Sequence, residues 1–298
     1  MKNQLTILCR IALLSAFVLL LPSQASSRTI TVGSVGTRPA SEIKIFLPLA
    51  NYLSEQLQAD GFTQGQVVIA KDIAEMASLF RNGKVDIFID SSGRSLALSR
   101  LVESKPLLRR WKKGTAEYHG LIFTKKDNAI SRLEDLKGKI VAFEAPLSVT
   151  GCLLPKMILM EKGLKVVSAS TAVRADEVGY LFSDHDENTM VWVMKEKVSA
   201  GVIDNQSYLR EARTNSDRLK IIDKTPSVPR HIVSFRAGLP STLVNRIKET
   251  LIQMDRSEEG RKILEHFEKT TKFDELTDQA SSPLMKLGKL IDAELKHR

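Results

Sequence analysis

Cysteine is almost absent: the 298 residues include two, Cys9 and Cys152. Cys9 falls in a leader-like segment, so its removal leaves one thiol and excludes an intramolecular disulfide. Aromatic residues are only 6%, and no basic stripe with interleaved aromatics occurs. That argues against a nucleic-acid surface. No apolar run reaches the ~20 residues of a membrane-spanning helix. Low-complexity tracts, charge blocks and short-period repeats are missing too, which argues against disorder. A Gly-x-Ser-x-Gly elbow, a phosphate loop and a helical His pair are also lacking. His119, His185, His231, His266 and His297 have no evident nucleophile partner. The chain is therefore read as a non-enzyme without cofactor or metal.

What is present begins with an address. Lys2 and Arg10 accompany the apolar run Ile11 to Leu21, Pro22 ends it, and Ser23-Gln24-Ala25 forms a small-x-small site. Residues 1–25 read as a secretory signal peptide, cleaved near Ala25 to leave a periplasmic protein. The apolar run is short for an anchor, and Cys9 precedes it, where a lipidated Cys would follow. Removing Lys2 and Arg10 from the 44 basic residues leaves 42 against 35 acidic ones, a formal +7 on 273 residues. That length suits two domains. The positive charge is spread among acids and favours an anionic ligand by long-range attraction.

Apolar strands alternate with amphipathic helices. Thr29 to Val35, Gln66 to Ala70 and Val85 to Ile89 read as strands. Between them, Leu49, Ala50, Leu53 and Leu57 mark one helix, with Pro48 in its first turn. Ile73, Met76 and Phe80 mark another, ended by Asn82-Gly83. A second set of strands follows at Leu121–Phe123, Ile140–Phe143, Lys165–Ser168 and Ala200–Ile203, with helices at about 150–162 and 187–197. His231 to Phe235 read as a return strand before the C-terminal helices. This is an α/β layered architecture.

Pro48-Leu49-Ala50-Asn51-Tyr52-Leu53, Gly83-Lys84-Val85-Asp86-Ile87 and Leu133-Glu134-Asp135-Leu136-Lys137-Gly138-Lys139 carry a resemblance. So do Tyr118 to Ile130, Ser148-Val149-Thr150-Gly151 before Pro155, and Leu239-Pro240 with Glu259-Gly260-Arg261. In order, these segments resemble the phosphate/phosphite/phosphonate family of periplasmic binding proteins that feed ABC transporters. The resemblance implies an α/β, two-lobed type II periplasmic-binding fold with the ligand in the cleft between lobes. Lobe 1 would comprise 26–121 plus 224–298 and lobe 2 would comprise 122–223, with crossing strands near 120–125 and 222–227.

The segment 143–151 joins a strand to a helix, and Ser148 and Thr150 can cap that helix. Its free N–H groups either close a plain loop or bind an anion. The family's usual Ser-Thr-Ser-Gly places ligand contact on Ser148, Val149, Thr150 and Gly151, with one hydroxyl lost at Val149. Cys152 reads as a packing thiol.

Asp90, Ser91 and Ser92 follow the third strand, at the end where open α/β sheets place ligands. The family usually has an aromatic at Asp90. A carboxylate there welcomes a ligand ammonium, unless it caps a helix or Arg94 or Arg38 neutralises it. Thr37 and Arg38 end the first strand's loop, either in the cleft or in solvent. Asp184-His185-Asp186-Glu187-Asn188 lacks the spacing of a zinc site. By resemblance, Glu187 and Asp204 meet a ligand's amino end; both also fit as helix N-terminal acids. The expected function is capture of a small oxyanion, phosphonate- or phosphate-like, with or without an amino group, by a monomer that docks on an ABC permease. The alternative is an accessory sensor that signals to a membrane kinase or cyclic-nucleotide enzyme.

Overall fold

A computed structural model describes residues 28–214 and 216–296. The leader lies outside them. The chain runs β1 (Arg28–Val35), α1 (Pro39–Gln56), β2 (Phe62–Ala70), α2 (Ile73–Arg81), β3 (Ile87–Ser91), α3 (Ser92–Leu101) and β4 (Ser104–Lys112). A short β5 (Glu117–Tyr118) leads to β6 (Gly120–Lys125), β7 (Ile140–Phe143) and a π-helical turn, Val149–Leu153, that continues into α4 (Leu154–Glu161). There follow β8 (Lys165–Ser168), β9 (Glu177–Phe182), α5 (Asp186–Met194), β10 (Ala200–Asp204), α6 (Asn205–Glu211) and β11 (Leu219–Lys224). The chain returns through β12 (Val228–Pro229) to β13 (His231–Arg236), α7 (Ser241–Gln253), α8 (Glu258–His266), β14 (Thr270–Glu275), α9 (Asp278–Met285) and α10 (Gly288–Lys296).

Two six-stranded sheets result, ordered β14-β4-β13-β3-β1-β2 and β11-β6-β10-β7-β9-β8. Each is parallel through its βαβ part and antiparallel where the return strands join. This is the two-lobed α/β architecture expected. The chain crosses between lobes at β5 and β12, which pair with each other, Tyr118 opposite Val228. The segments expected to cross, 120–125 and 222–227, instead supply β6 and the end of β11 in the second sheet.

The first lobe's core is packed by Ile30, Val32, Leu49, Leu53, Ile247 and Phe267, and the second lobe's by Ile122, Val141, Phe143 and Val202. Cys152 sits in the second core, fully buried, and burial pushes its thiol pKa up. It is the packing residue expected.

Helix α1 departs from its reading. Pro39 occupies the first turn, and Pro48 lies in the interior. A proline there frees the carbonyl four residues earlier. That carbonyl, on Lys44, accepts a hydrogen bond from His266 Nε2 at 3.0 Å. The broken rung is thus repaired from α8, and the helix runs on.

Candidate ligand-binding cleft

Between the lobes lies a cleft of about 550 Å³. The 143–151 segment forms one wall, and its local folding is set by one hydroxyl. Ser148 Oγ accepts from Gly151 N at 3.0 Å and donates to Glu144 Oε2 at 2.5 Å. Ser148 is therefore an N-cap, and Gly151's N–H is spent on it. Glu144 N donates to Gly151 O at 3.0 Å, which folds the loop back on itself. The first-turn N–H groups of Val149 and Thr150 remain, because the opening donors of a helical turn have no intrahelical acceptor. Both residues line the cleft; Gly151 does not. The Thr150 and Ser92 hydroxyls approach Tyr118, whose phenol pKa is pushed up to about 12, by burial first and then by Glu144's charge.

The facing wall corrects the reading of Asp90. Its carboxylate accepts from Ser34 Oγ (3.0 Å), Val35 N (3.0 Å) and Ser91 N (2.7 Å). Arg94 Nη1 adds an ion pair at 3.3 Å. A buried carboxylate so supplied has no need of a ligand ammonium. Asp90 lines the cleft but is neutralised by the protein itself. The cap of α3 is Ser91, which also lines the cleft. Ser92 is fully buried, and its Oγ has no hydrogen-bond partner among the described residues.

Thr37 and Arg38 are exposed and outside the cleft; Arg38 is the N-cap residue before α1, and its backbone N–H donates to Glu42. Glu187 is exposed as well, 3.7 Å from Arg210. Glu187 does not line the cleft; the neighbouring Asp186 does. Asp204 lines it too, and caps α6 by accepting from Gln206 N and Ser207 N. Glu144, Asp186 and Asp204 come from the loop after β7, the start of α5 and the end of β10. They are strand-end or helix-start positions that the alternation of strands and helices brings together.

The pattern of ABC-transporter phosphonate periplasmic substrate-binding proteins matches residues 35–280. The chain belongs to that family. Among solved structures, the Xanthomonas citri protein XAC2383, bound to chloride, is similar at TM-score 0.80 and 25% identity, over 91% of this chain and 99% of that one. Two further structures share the fold. A Pseudomonas aeruginosa binding component of an ABC phosphonate transporter has TM-score 0.60 and 20% identity, over 90% and 88% of the two chains. Prochlorococcus marinus PhnD1, in complex with methylphosphonate, has TM-score 0.62 and 16% identity, over 89% and 98%. Membership of a transport family favours delivery to an importer over signalling to a sensor.

In this phosphonate-family binding protein, the second lobe's wall is acidic. Burial, with Asp204's charge, raises Glu144. Asp186 is raised to about 7, by burial first and then by Glu144 and Asp204. One Asp186 oxygen, Oδ1, is buried without a hydrogen-bond partner among the described residues. Arg210, whose charge acts on Asp186 from the same lobe, is itself engaged by Glu211 at 2.7 Å and Glu187 at 3.7 Å. Three half-buried carboxylates therefore converge, none of them ion-paired to a cation within the second lobe's wall among the described residues, and around Glu144 and Asp186 this favours protonation or a positive guest.

Proposed function

We propose that this binding protein captures a small oxyanion that also carries an amino group, an aminophosphonate being the fitting class, and delivers it to the permease of an ABC importer. The observation that carries this is the group of carboxylates Glu144, Asp186 and Asp204 on a wall of the cleft, which have no ion pair among the described residues. A ligand ammonium supplies the missing cation, and the Val149 and Thr150 N–H groups take the oxyanion. The protein acts as a monomer, with lobe 1 formed by the chain up to β5 and again from β12 onward, and lobe 2 by the chain between them.

Thermal-shift and calorimetric titration with 2-aminoethylphosphonate and ethylphosphonate test this. The amino compound binds tighter, and Asp186→Asn removes most of the difference. The pH dependence has a definite sign. Asp186 is raised to about 7 in the cleft, so below that pH an incoming ammonium must displace its proton. The ratio of the two affinities therefore falls by up to ~10-fold per pH unit below 7, and is flat above it. For the empty protein, the same raised carboxyl lowers stability as pH rises from the ordinary Asp range to about 7. Equal affinities at pH 8 would refute the amino assignment.

The protein is exported, its leader ending near Ala25. Mass analysis of the periplasmic form then gives an N-terminus at or near Ser26, and a retained Met1 would count against cleavage.

A further inference from the structure

The wall contributed by lobe 1 carries a cation with no carboxylate partner among the described residues. Arg230 lies between β12 and β13, beside α3: Ser92 N donates to Arg230 O at 3.2 Å, and His231 pairs with Ser91 across the sheet. Arg230 and His231 both line the cleft. The Arg230 guanidinium is half-buried and lies 5.9 Å from the Tyr118 ring. No carboxylate pairs with it among the described residues. His231 Nδ1 is buried and lacks a hydrogen-bond partner there.

The surroundings sharpen the imbalance. Arg94 is occupied by Asp90. Arg110 is fully buried and bonded to Thr270 Oγ1, Phe267 O and Glu268. Lys112 reaches the same Glu268 at 2.7 Å. Three cations thus share two carboxylates, Asp90 and Glu268, and Arg230 is a fourth positive charge beside them, while Lys71 and Asp72, also on the cleft wall, are opposite in charge. Burial and these cations hold the His231 pKa well below its usual range, so the ring is neutral. A low-dielectric wall with surplus positive charge and an unused imidazole nitrogen is built to receive negative charge. The opposite wall, with its three carboxylates, has the complementary excess.

We propose that Arg230 and His231 form the lobe 1 half of the oxyanion site, clamping the phosphonate-type group against the Val149 and Thr150 N–H groups of lobe 2. Neither residue belongs to the motifs that mark the loop. The inference rests on the oxyanion reading above and assigns the contacts that make closure favourable. A ligand shifts the lobes together only if it gains interactions in the closed state, and contacts on both walls provide them. Arg presents a planar fork suited to such an oxyanion.

Calorimetry on wild type, Arg230→Gln and Arg230→Lys, with ethylphosphonate and 2-aminoethylphosphonate, tests the clamp. Losing a hydrogen bond to a charged group weakens both ligands by the same factor, roughly ten- to hundredfold, in Arg230→Gln. Arg230→Lys recovers part of it. Without ligand at low salt, Arg230→Gln melts at or above wild type, because a half-buried charge beside other cations has been removed. Affinities within twofold of wild type overturn the proposal, as does a ligand-free melting point several degrees lower, which marks a structural cation. If wild type binds neither phosphonate, the reading of function fails, and inorganic sulfate decides the clamp. Greater stabilisation of wild type than of Arg230→Gln upholds it, and equal stabilisation overturns it.

Discussion

Gly93→Ala is expected to weaken ligand binding by about a hundredfold, equivalent to ~3 kcal/mol against the closed state, the upper end of overpacking costs. Gly93 stands in the first turn of α3, on lobe 1. A Cβ at this position would lie 2.0 Å from the carbonyl oxygen of Leu147 and 3.1 Å from Val149 Cγ2, both in the ligand loop of lobe 2. The oxygen belongs to the backbone, so no side-chain rotation relieves the overlap. The lobes must stay apart, and the donors on the two walls no longer meet on one ligand.

An open form has room for the methyl group, so the unliganded variant should melt within a few degrees of wild type. Calorimetry gives the affinity, and solution scattering with and without ligand reports whether the lobes still close. Wild-type affinity would mean that bound ligand is held in a wider cleft than the one described. A large loss of unliganded stability would mean instead that this contact is part of a permanent interface.

The same contact shows which parts of the site can be read in a sequence. Ser148 and Thr150 announce themselves, because a hydroxyl before a helical run is a local cap signal. The role of Asp90 is not local. Its partners Ser34 and Val35 lie more than fifty residues away, joined to it by the parallel ladder of β1 and β3. A sequence shows an unusual carboxylate, not the four groups that satisfy it. Arg230 is hidden for the converse reason: it resembles any solvated loop arginine until β12 carries it to the cleft.

Strands followed the same rule. Apolar strands of the two sheet centres were legible from their hydrophobic runs. β4, Ser-Lys-Pro-Leu-Leu-Arg-Arg-Trp-Lys, and β14, Thr-Thr-Lys-Phe-Asp-Glu, were not. Each buries one core residue, Leu108 and Phe273, amid polar ones, and they are joined by cross-strand charge, with Arg109 Nε and Nη2 each 2.9 Å from the Asp274 carboxylate. Pairs of this kind depend on a register that no single strand encodes. β9 escaped for a different reason: it follows β8 without an intervening amphipathic helix to punctuate it.

Lys156→Ala is expected to lower the unfolding free energy by ~3–5 kcal/mol, the cost of leaving a buried charge without its partner. Lys156, on α4 of lobe 2, meets Glu294, on α10, at 3.0 Å, with side-chain exposures of only 13% and 9%. Its ammonium also lies 4.8 Å from the Tyr180 ring. From the same helix, Asp292 takes a two-pronged ion pair from Arg100 of α3, on lobe 1. Leu287 and Ile291 are buried in a cluster that contains Leu98 from one lobe and Leu153 and Leu154 from the other. α10 therefore straddles both lobes, and it lies beyond residue 280, where the family match ends. The exposed Arg100–Asp292 pair contributes little, because water screens it; the buried pair is different. Urea unfolding of the unliganded protein measures the loss. Replacing both partners, Lys156→Met with Glu294→Met, should restore most of it, since no charge is then stranded. A loss below ~1 kcal/mol for Lys156→Ala would mean that Glu294 reaches water once its partner is gone. In that case α10 is held to lobe 2 by its apolar face alone.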